Sequence, residues 1–404
     1  MSSGVLSNLK VVEYSQYISG PWCGKCLADF GAEVIKVEEP GVGDLARSIG
    51  PFPDDIPHRE KSGLFLHLNT SKLGVTLDVK TKVGLKIFKE LVKEADILVE
   101  NNPPKVMKEL GLDYESLKEV NPRLIMTSIT PFGQTGPYRD YKACDLITMQ
   151  MGYAGHQCPV RVEDLKQPPL KYAGNQVYFA AAATAQLVTM FAVFARQRSG
   201  LGEHIDISEL EVVANQERPY ISRYLNENLK DGRIRSERQW HNAALPCRDG
   251  YVFFDLGTDA HWQGFKSMIG SSLDWATEEL FPDRWSRHAN WDSIEPAVEE
   301  WMVEHTKDEI IQAGREKHFP IGPVNTAEDV VKSEQLAYRG FFVDVDHLEA
   351  GKTKLPGLPY KMSQTPWKVS RPAPLLGEHN EEIFCHRLGY SNQDLVKMRQ
   401  AGVI

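Results

Sequence analysis

The chain has 404 residues, 42% of them hydrophobic and 25% charged, and a formal net charge of −9. That balance excludes disordered and fibrous classes, and the length favours two domains over one. The acidic excess gives no electrostatic ground for nucleic acid or an anionic membrane as partner.

The opening MSSGVLSNLK has no apolar core like that of a signal peptide, and the one long apolar run lies mid-chain with Gln186 and Thr189 inside it. A cytoplasmic location is the expectation. Six cysteines (Cys23, Cys26, Cys144, Cys158, Cys247, Cys385) form no framework, as for thiols kept reduced. Cys23 and Cys26 form a C-x-x-C, but zinc needs two further ligands at comparable spacing and a redox pair needs a thioredoxin-like setting, so no metal is expected.

In chain order, LKVVEYS reads as a buried strand, SGPWCGKCLADFG as a turn into a helix and AEVIKVEEP as a second strand, which makes a β-α-β unit. GVTLDVK follows as a third strand. KVGLKIFKELVKEA is an amphipathic helix with Leu85, Phe88, Leu91 and Val92 on one face, leading into the strand DILVENN. After Pro122 the β-branched run LIMTSIT is another strand. Alternation of this kind predicts an open, mostly parallel sheet of the dinucleotide-binding type with its ligand at the carboxyl ends of the strands. No G-x-G-x-x-G and no Walker loop is present, so a nucleotide held by a glycine fingerprint is disfavoured. The strand-end loops instead carry Lys36, Arg47, Lys105, Lys108, Arg139 and Lys142, cations of the kind a phosphate-bearing ligand requires.

The stretch from Leu165 to Gly202 has a polar entry, an apolar run rich in alanine and a basic exit, and contains no Asp or Glu. It reads as a helix buried on most of its circumference, with Asn175 or Gln176 capping its start. HIDISELEVVANQ is then a strand entering a helix, and 226–242 is an exposed connection. CRDGYVFFDLG is a hairpin, and Trp240, Trp262, Trp285 and Trp291 are expected to cluster. The predicted architecture is α/β, with a large domain formed by 1–225 and a returning 326–404, and a smaller α+β domain over 226–325.

These stretches resemble the family III CoA-transferases, the group of formyl-CoA transferase and carnitine CoA-transferase, which shares its fold with α-methylacyl-CoA racemase. The matching segments are GPWCGKCLADFGAEVIKVEEPGVGDLAR, LNTSKLGVTLD, ADILVEN, LGLDYESLKEVNPRLIMTSITPFGQTGPY, RSGLGEHIDISELE, LPYKMSQTP and RPAPLLGEHNEEI, in order along nearly the whole chain. The resemblance implies an interlocked dimer whose protomers each have a large and a small domain. It also implies an Asp nucleophile that attacks an acyl-CoA thioester to give a mixed anhydride, then an aspartyl-CoA thioester, before the acceptor acid takes CoA. No cofactor is bound covalently; coenzyme A enters as the acyl-CoA substrate.

Aligned back from Gly200, the nucleophile position falls on Tyr178, with Phe179 beside it. Where formyl-CoA transferase has a catalytic Gln, this chain has Ile18, with Gln16 two residues away. Gln16, Tyr17, Ile18, Tyr178 and Phe179 are therefore the expected pocket. Lys36, Asn101 and Lys142 match CoA-binding positions. Asn102 lies beside Asn101, and Lys105 and Lys108 stand near an Arg position occupied here by Glu109.

The resemblance is greatest to a subunit without a nucleophile. A homologous Asp-bearing partner would complete a heteromeric enzyme of the succinyl-CoA:benzylsuccinate type, moving CoA to a small carboxylic acid. The alternatives are an enzyme using another group or another acyl-CoA chemistry, and a CoA-binding or structural protein without catalysis.

Overall fold

The computed structural model describes residues 4–159, 161–162, 164–230, 232–235 and 242–404. Six strands form one parallel sheet: β1 Lys10–Tyr14, β2 Glu33–Glu38, β3 Leu73–Thr76, β4 Ile97–Glu100, β5 Ile125–Thr130 and β6 His204–Ser208, in the order β3-β2-β1-β4-β5-β6. Helices cover both faces, which is why the strands read as continuous apolar runs. Successive side chains serve opposite cores. Val12 and Leu98 face one, with Ile87, Phe88, Leu91 and Phe384, while Val11, Ile97 and Val99 face the other, with Leu27, Ala181 and Ala185.

The helices of this unit that matter for the site are α1 Ser19–Asp29, α2 Gly63–Leu68, α3 Lys82–Glu94, α4 Pro104–Glu109, α5 Tyr114–Val120, α6 Asp145–Met151, α7 Gln176–Ser199 and α8 Glu209–Gln216. The chain end returns to this unit and covers the β3 edge: the Gly74 N–H donates to His379 Nδ1 at 3.1 Å and the Thr76 N–H to Asn380 Oδ1 at 2.8 Å.

Helix α7 departs from the sequence expectation in two ways. Ala181, Ala182, Ala185 and Ala192, with Val177, Thr189 and Val193, are buried, whereas Leu187, Phe191 and Phe194 are 55–61% exposed. Small residues let the helix approach α1 and the sheet closely, and the bulky ones are left on the opposite side, so burial covers one face and not most of the circumference. Its start is not capped by the side chain of Asn175. Asp145, far upstream, does that work instead.

The chain divides into two compact units, Met1–Val160 with Pro168–Arg233 and Gly340–Ile404, and Arg161–Gln167 with Ile234–Arg339. The smaller one thus begins and ends later than 226–325 and takes in a short earlier segment. It holds the antiparallel strands β7 Asn242–Cys247, β8 Gly250–Asp255 and β9 Ile321–Pro323. Trp262 and Trp291 are buried in its core with Phe254, Phe265 and Ile294, while Trp285 is exposed. Trp240 and part of the 226–242 connection lie outside the described residues.

Candidate active site

The strand order changes direction between β1 and β4, and the loops leaving these two strands are tied by one side chain. Asn101 accepts the Gln16 N–H at 2.9 Å and donates to Gln16 O at 2.8 Å and to Ser19 Oγ at 3.1 Å. Asn102 donates to Tyr14 O at 2.8 Å, and its N–H donates to Glu100 Oε2 at 2.7 Å. Both residues expected to meet CoA are thus engaged in holding the loops in place.

Lys36 is further from that expectation. It is fully buried, 2.9 Å from Glu13 Oε1 and 2.6 Å from Asp44 Oδ2, and it donates to Ser15 O at 3.0 Å. Burial works against its charge, but Asp44 and Glu13 outweigh it and raise its pKa. Lys72 joins the group at 2.7 Å from Glu13 Oε2, and its pKa is lowered to about 8, first by burial. A β-branched run with charges inside it looks like a strand end from sequence; here the charges form a closed internal network under the loop.

That network positions the next residue. Asp44 Oδ1 accepts the Tyr17 N–H at 2.8 Å and helps hold Tyr17 at a φ of 68°, in the left-handed region that few side chains adopt. From there the Tyr17 ring meets Tyr178 edge-on with centroids 5.3 Å apart, and its hydroxyl donates to Asn175 Oδ1 at 3.4 Å. One turn away Trp22 meets Phe179 edge-on at 5.4 Å and lies 5.3 Å from the His67 ring. The structure thus brings Tyr17, Tyr178 and Phe179 together where α7 begins against α1. Ile18 is fully buried, and Gln16 is exposed beside this group.

Two carboxyl groups that the sequence reading missed stand behind Tyr178. Asp145, at the first turn of α6, accepts the Val177 N–H at 2.9 Å and pairs with Lys171 at 2.7 Å. Its own N–H donates to the Tyr178 hydroxyl at 3.0 Å. Glu209, at the first turn of α8, is buried with Oε2 lacking a hydrogen-bond partner, and burial followed by the charge of Asp145 pushes its pKa up to about 8. The Tyr178 phenol is raised in turn, by burial and then by Glu209. The only local signal for Asp145 was an acid before the apolar run LITMQM, which marks a helix start and not a site.

Lys105 is exposed on α4 and 3.8 Å from Glu109, and Lys108 and Lys142 are exposed.

The profile of CoA-transferase family III matches residues 6–380. The chain belongs to that family. Succinate–glutarate CoA-transferase of Agrobacterium fabrum is 34% identical over 94% of this chain and 94% of its own length. Succinyl-CoA–D-citramalate CoA-transferase of Chloroflexus aurantiacus is 32% identical over 99% and 98%. A CAIB/BAIF family protein from Brucella suis has the same fold, with a TM-score of 0.84 and 28% identity over 95% of this chain and all of that one. The activity class of this family III CoA-transferase chain is therefore transfer of CoA between an acyl-CoA and a carboxylic acid.

Proposed function

We propose that this chain is the subunit without a nucleophile in a heteromeric, cytoplasmic family III CoA-transferase. CoA moves from succinyl-CoA to a carboxylic acid, with an aromatic acid such as benzylsuccinate as acceptor. The observation that carries the reading is the absence of any Asp or Glu on α7, whose Tyr178 aligns with the family's nucleophile by the resemblance. Covalent transfer through an anhydride needs a carboxylate, and a phenol with a raised pKa is neutral at physiological pH.

The nucleophilic Asp then belongs to a homologous partner. Its carboxylate attacks the thioester carbonyl and expels CoA thiolate; the thiolate attacks the aspartyl carbonyl of the resulting anhydride and releases succinate. The acceptor carboxylate finally takes CoA through the reverse sequence. The names of two relatives, which act on succinate or succinyl-CoA, support the donor. The aromatic pairs Tyr17–Tyr178 and Trp22–Phe179 support an aromatic acceptor. An interlocked arrangement of the two subunits would cover Leu187, Phe191 and Phe194.

One observation favours a second reading, a chain that uses another carboxylate of its own: Asp145 is one hydrogen bond from Tyr178. Against it, both Asp145 oxygens are engaged and the group is buried. The deciding experiment is co-expression with the homologous partner, native mass and a transferase assay, beside intact mass of this chain alone after incubation with succinyl-CoA. An acyl or CoA adduct on this chain alone would overturn the first reading.

A further inference from the structure

We infer that Glu39 and Asp78 make the strand-end crevice of this chain repel phosphates, so that the assembled enzyme holds CoA only in the partner's site. The second clause rests on the proposed heteromer, whereas the first is a property of this chain alone.

The crevice lies at the carboxyl ends of β1, β2, β3 and β4, where a sheet of this order takes its ligand, and its cavity volume is about 30 Å³. Its lining includes Glu38, Glu39, Asp44 and Asp78, and among the described residues its single cation is Lys80. Two of the acids are neutralised from beneath. Arg47 grips Glu38 through Nε at 2.7 Å and Nη2 at 2.9 Å, and Lys36 holds Asp44. Arg47 and Lys36 are both buried and committed to these acids, so neither is available to a ligand in the crevice.

That leaves Glu39, Asp78 and Lys80 at the mouth. Lys80 Nζ is 3.0 Å from Glu39 Oε1, and the Lys80 N–H donates to Asp78 Oδ1 at 3.0 Å. One ammonium faces two carboxylates, so the mouth carries a net negative charge. The crevice interior reports the same field: the Tyr14 phenol is pushed up to about 12, first by burial and then by Glu39, Asp78 and Glu100. A multiply charged phosphate arriving here meets repulsion within a screening length of about 8–10 Å, and Lys80 cannot answer it without leaving Glu39 uncompensated. Anion sites in this position of a parallel sheet use free cations and unclaimed N–H groups. Here the neighbouring Asn102 N–H is already given to Glu100.

Glu39 is exposed, so its charge can be reversed without disturbing the core. Glu39→Arg releases Lys80 and turns the mouth from one cation against two acids into two against one. The test is calorimetric titration of CoA into the full chain, for the natural sequence, Glu39→Arg and Asp78→Asn, with thermal melts to establish folding. The expected result is no saturable binding to the natural chain up to about 1 mM, and binding at least about tenfold tighter in Glu39→Arg that weakens as salt is raised. Asp78→Asn should move the same way by less.

Micromolar CoA binding by the natural chain that Lys80→Ala removes would overturn the inference. A folded Glu39→Arg chain that gains nothing would overturn it too. In the assembled heteromer one CoA per pair of subunits is expected, and two per pair would count against it. Failure of the function reading shows elsewhere, as the absence of a heteromer in the native mass of the co-expressed chains, and leaves the titration of this chain alone standing.

Discussion

The Tyr178 hydroxyl accepts the backbone N–H of Asp145 at 3.0 Å, and Asp145 in turn accepts the Val177 N–H at 2.9 Å. The first turn of α7 is therefore locked to the first turn of α6 by a reciprocal pair of bonds, with Lys171 closing the group. A charged side chain satisfying a helix start contributes about 0.5–2 kcal/mol, and removal of a buried ionic partner adds to that. Asp145→Ala should lower unfolding free energy by about 2–4 kcal/mol in urea titration. Asp145→Asn keeps an acceptor for Val177 and should lose less. Equal losses for the two would show that the cap contributes nothing of its own.

Glu209 gives the same region a pH signature. Its folded pKa of about 8 lies above the ordinary 4.5, because burial and then Asp145 disfavour its charge. The folded chain therefore keeps a proton that the unfolded chain releases. This group's contribution to stability is full below about pH 4.5 and is lost as pH rises through about 8. Glu100, raised to about 7 chiefly by burial, acts in the same direction in the natural chain and in a variant alike. Glu209→Gln should thus flatten the pH dependence of unfolding free energy, by up to about 1.4 kcal/mol per pH unit within that window, relative to the natural chain. Superimposable profiles would show that Glu209 is ionised in the fold.

Beneath the loop at residues 15–19, Gly24 of α1 is placed where a Cβ would collide with Glu13 Oε2 and approach Lys72. The collision is with a charge held in a buried network, so nothing nearby can yield cheaply. Gly24→Ala, which in an open helix would stabilise by about 1 kcal/mol, should here destabilise by about 1–3 kcal/mol or leave the chain insoluble. Lys72→Met tests the same network by removing one partner of Glu13, with an expected loss of about 3–5 kcal/mol. A melting temperature unchanged in both variants would mean that the network does not hold the loop.

The sheet was legible because its strands are buried on both faces and alternate with amphipathic helices such as Lys82–Glu94, a pattern that depends only on neighbouring residues. Tyr178 stands out only through the resemblance, which aligns it with the family's nucleophile when counted back from Gly200; composition and periodicity alone mark the stretch as a core helix. What the sequence could not display were pairings across long separations. Lys36 looked available for a phosphate because Glu13 and Asp44 reach it only in the fold, and Asn101 looked like a ligand residue because its bonds to Gln16 span 85 positions. Asp145 and Glu209 escaped notice for the same reason: each is an ordinary helix-start acid until α6, α7 and α8 are packed together.

The exposed side of α7 yields the last prediction. Leu187, Phe191 and Phe194 recur at helical spacing along one face of a helix whose other face packs on α1 and the sheet. This helix is long and apolar enough to cross a membrane by length and composition, yet its alanine face is buried in the larger unit's core, as in a core helix. Three large apolar groups left in water on an element so placed are what a large, obligate subunit interface leaves when its partner is absent. If the proposed heteromer docks on this face, Phe191→Glu should abolish co-purification with the proposed partner and the activity of the pair, while the separated variant becomes more soluble than the natural chain and keeps its melting temperature within about 2 °C. The contrast between assembly and fold is what identifies an interface: a charge placed on a core face would lower both. If Phe191→Glu still assembles and the pair remains active, this face of α7 is ordinary surface and the partner docks elsewhere.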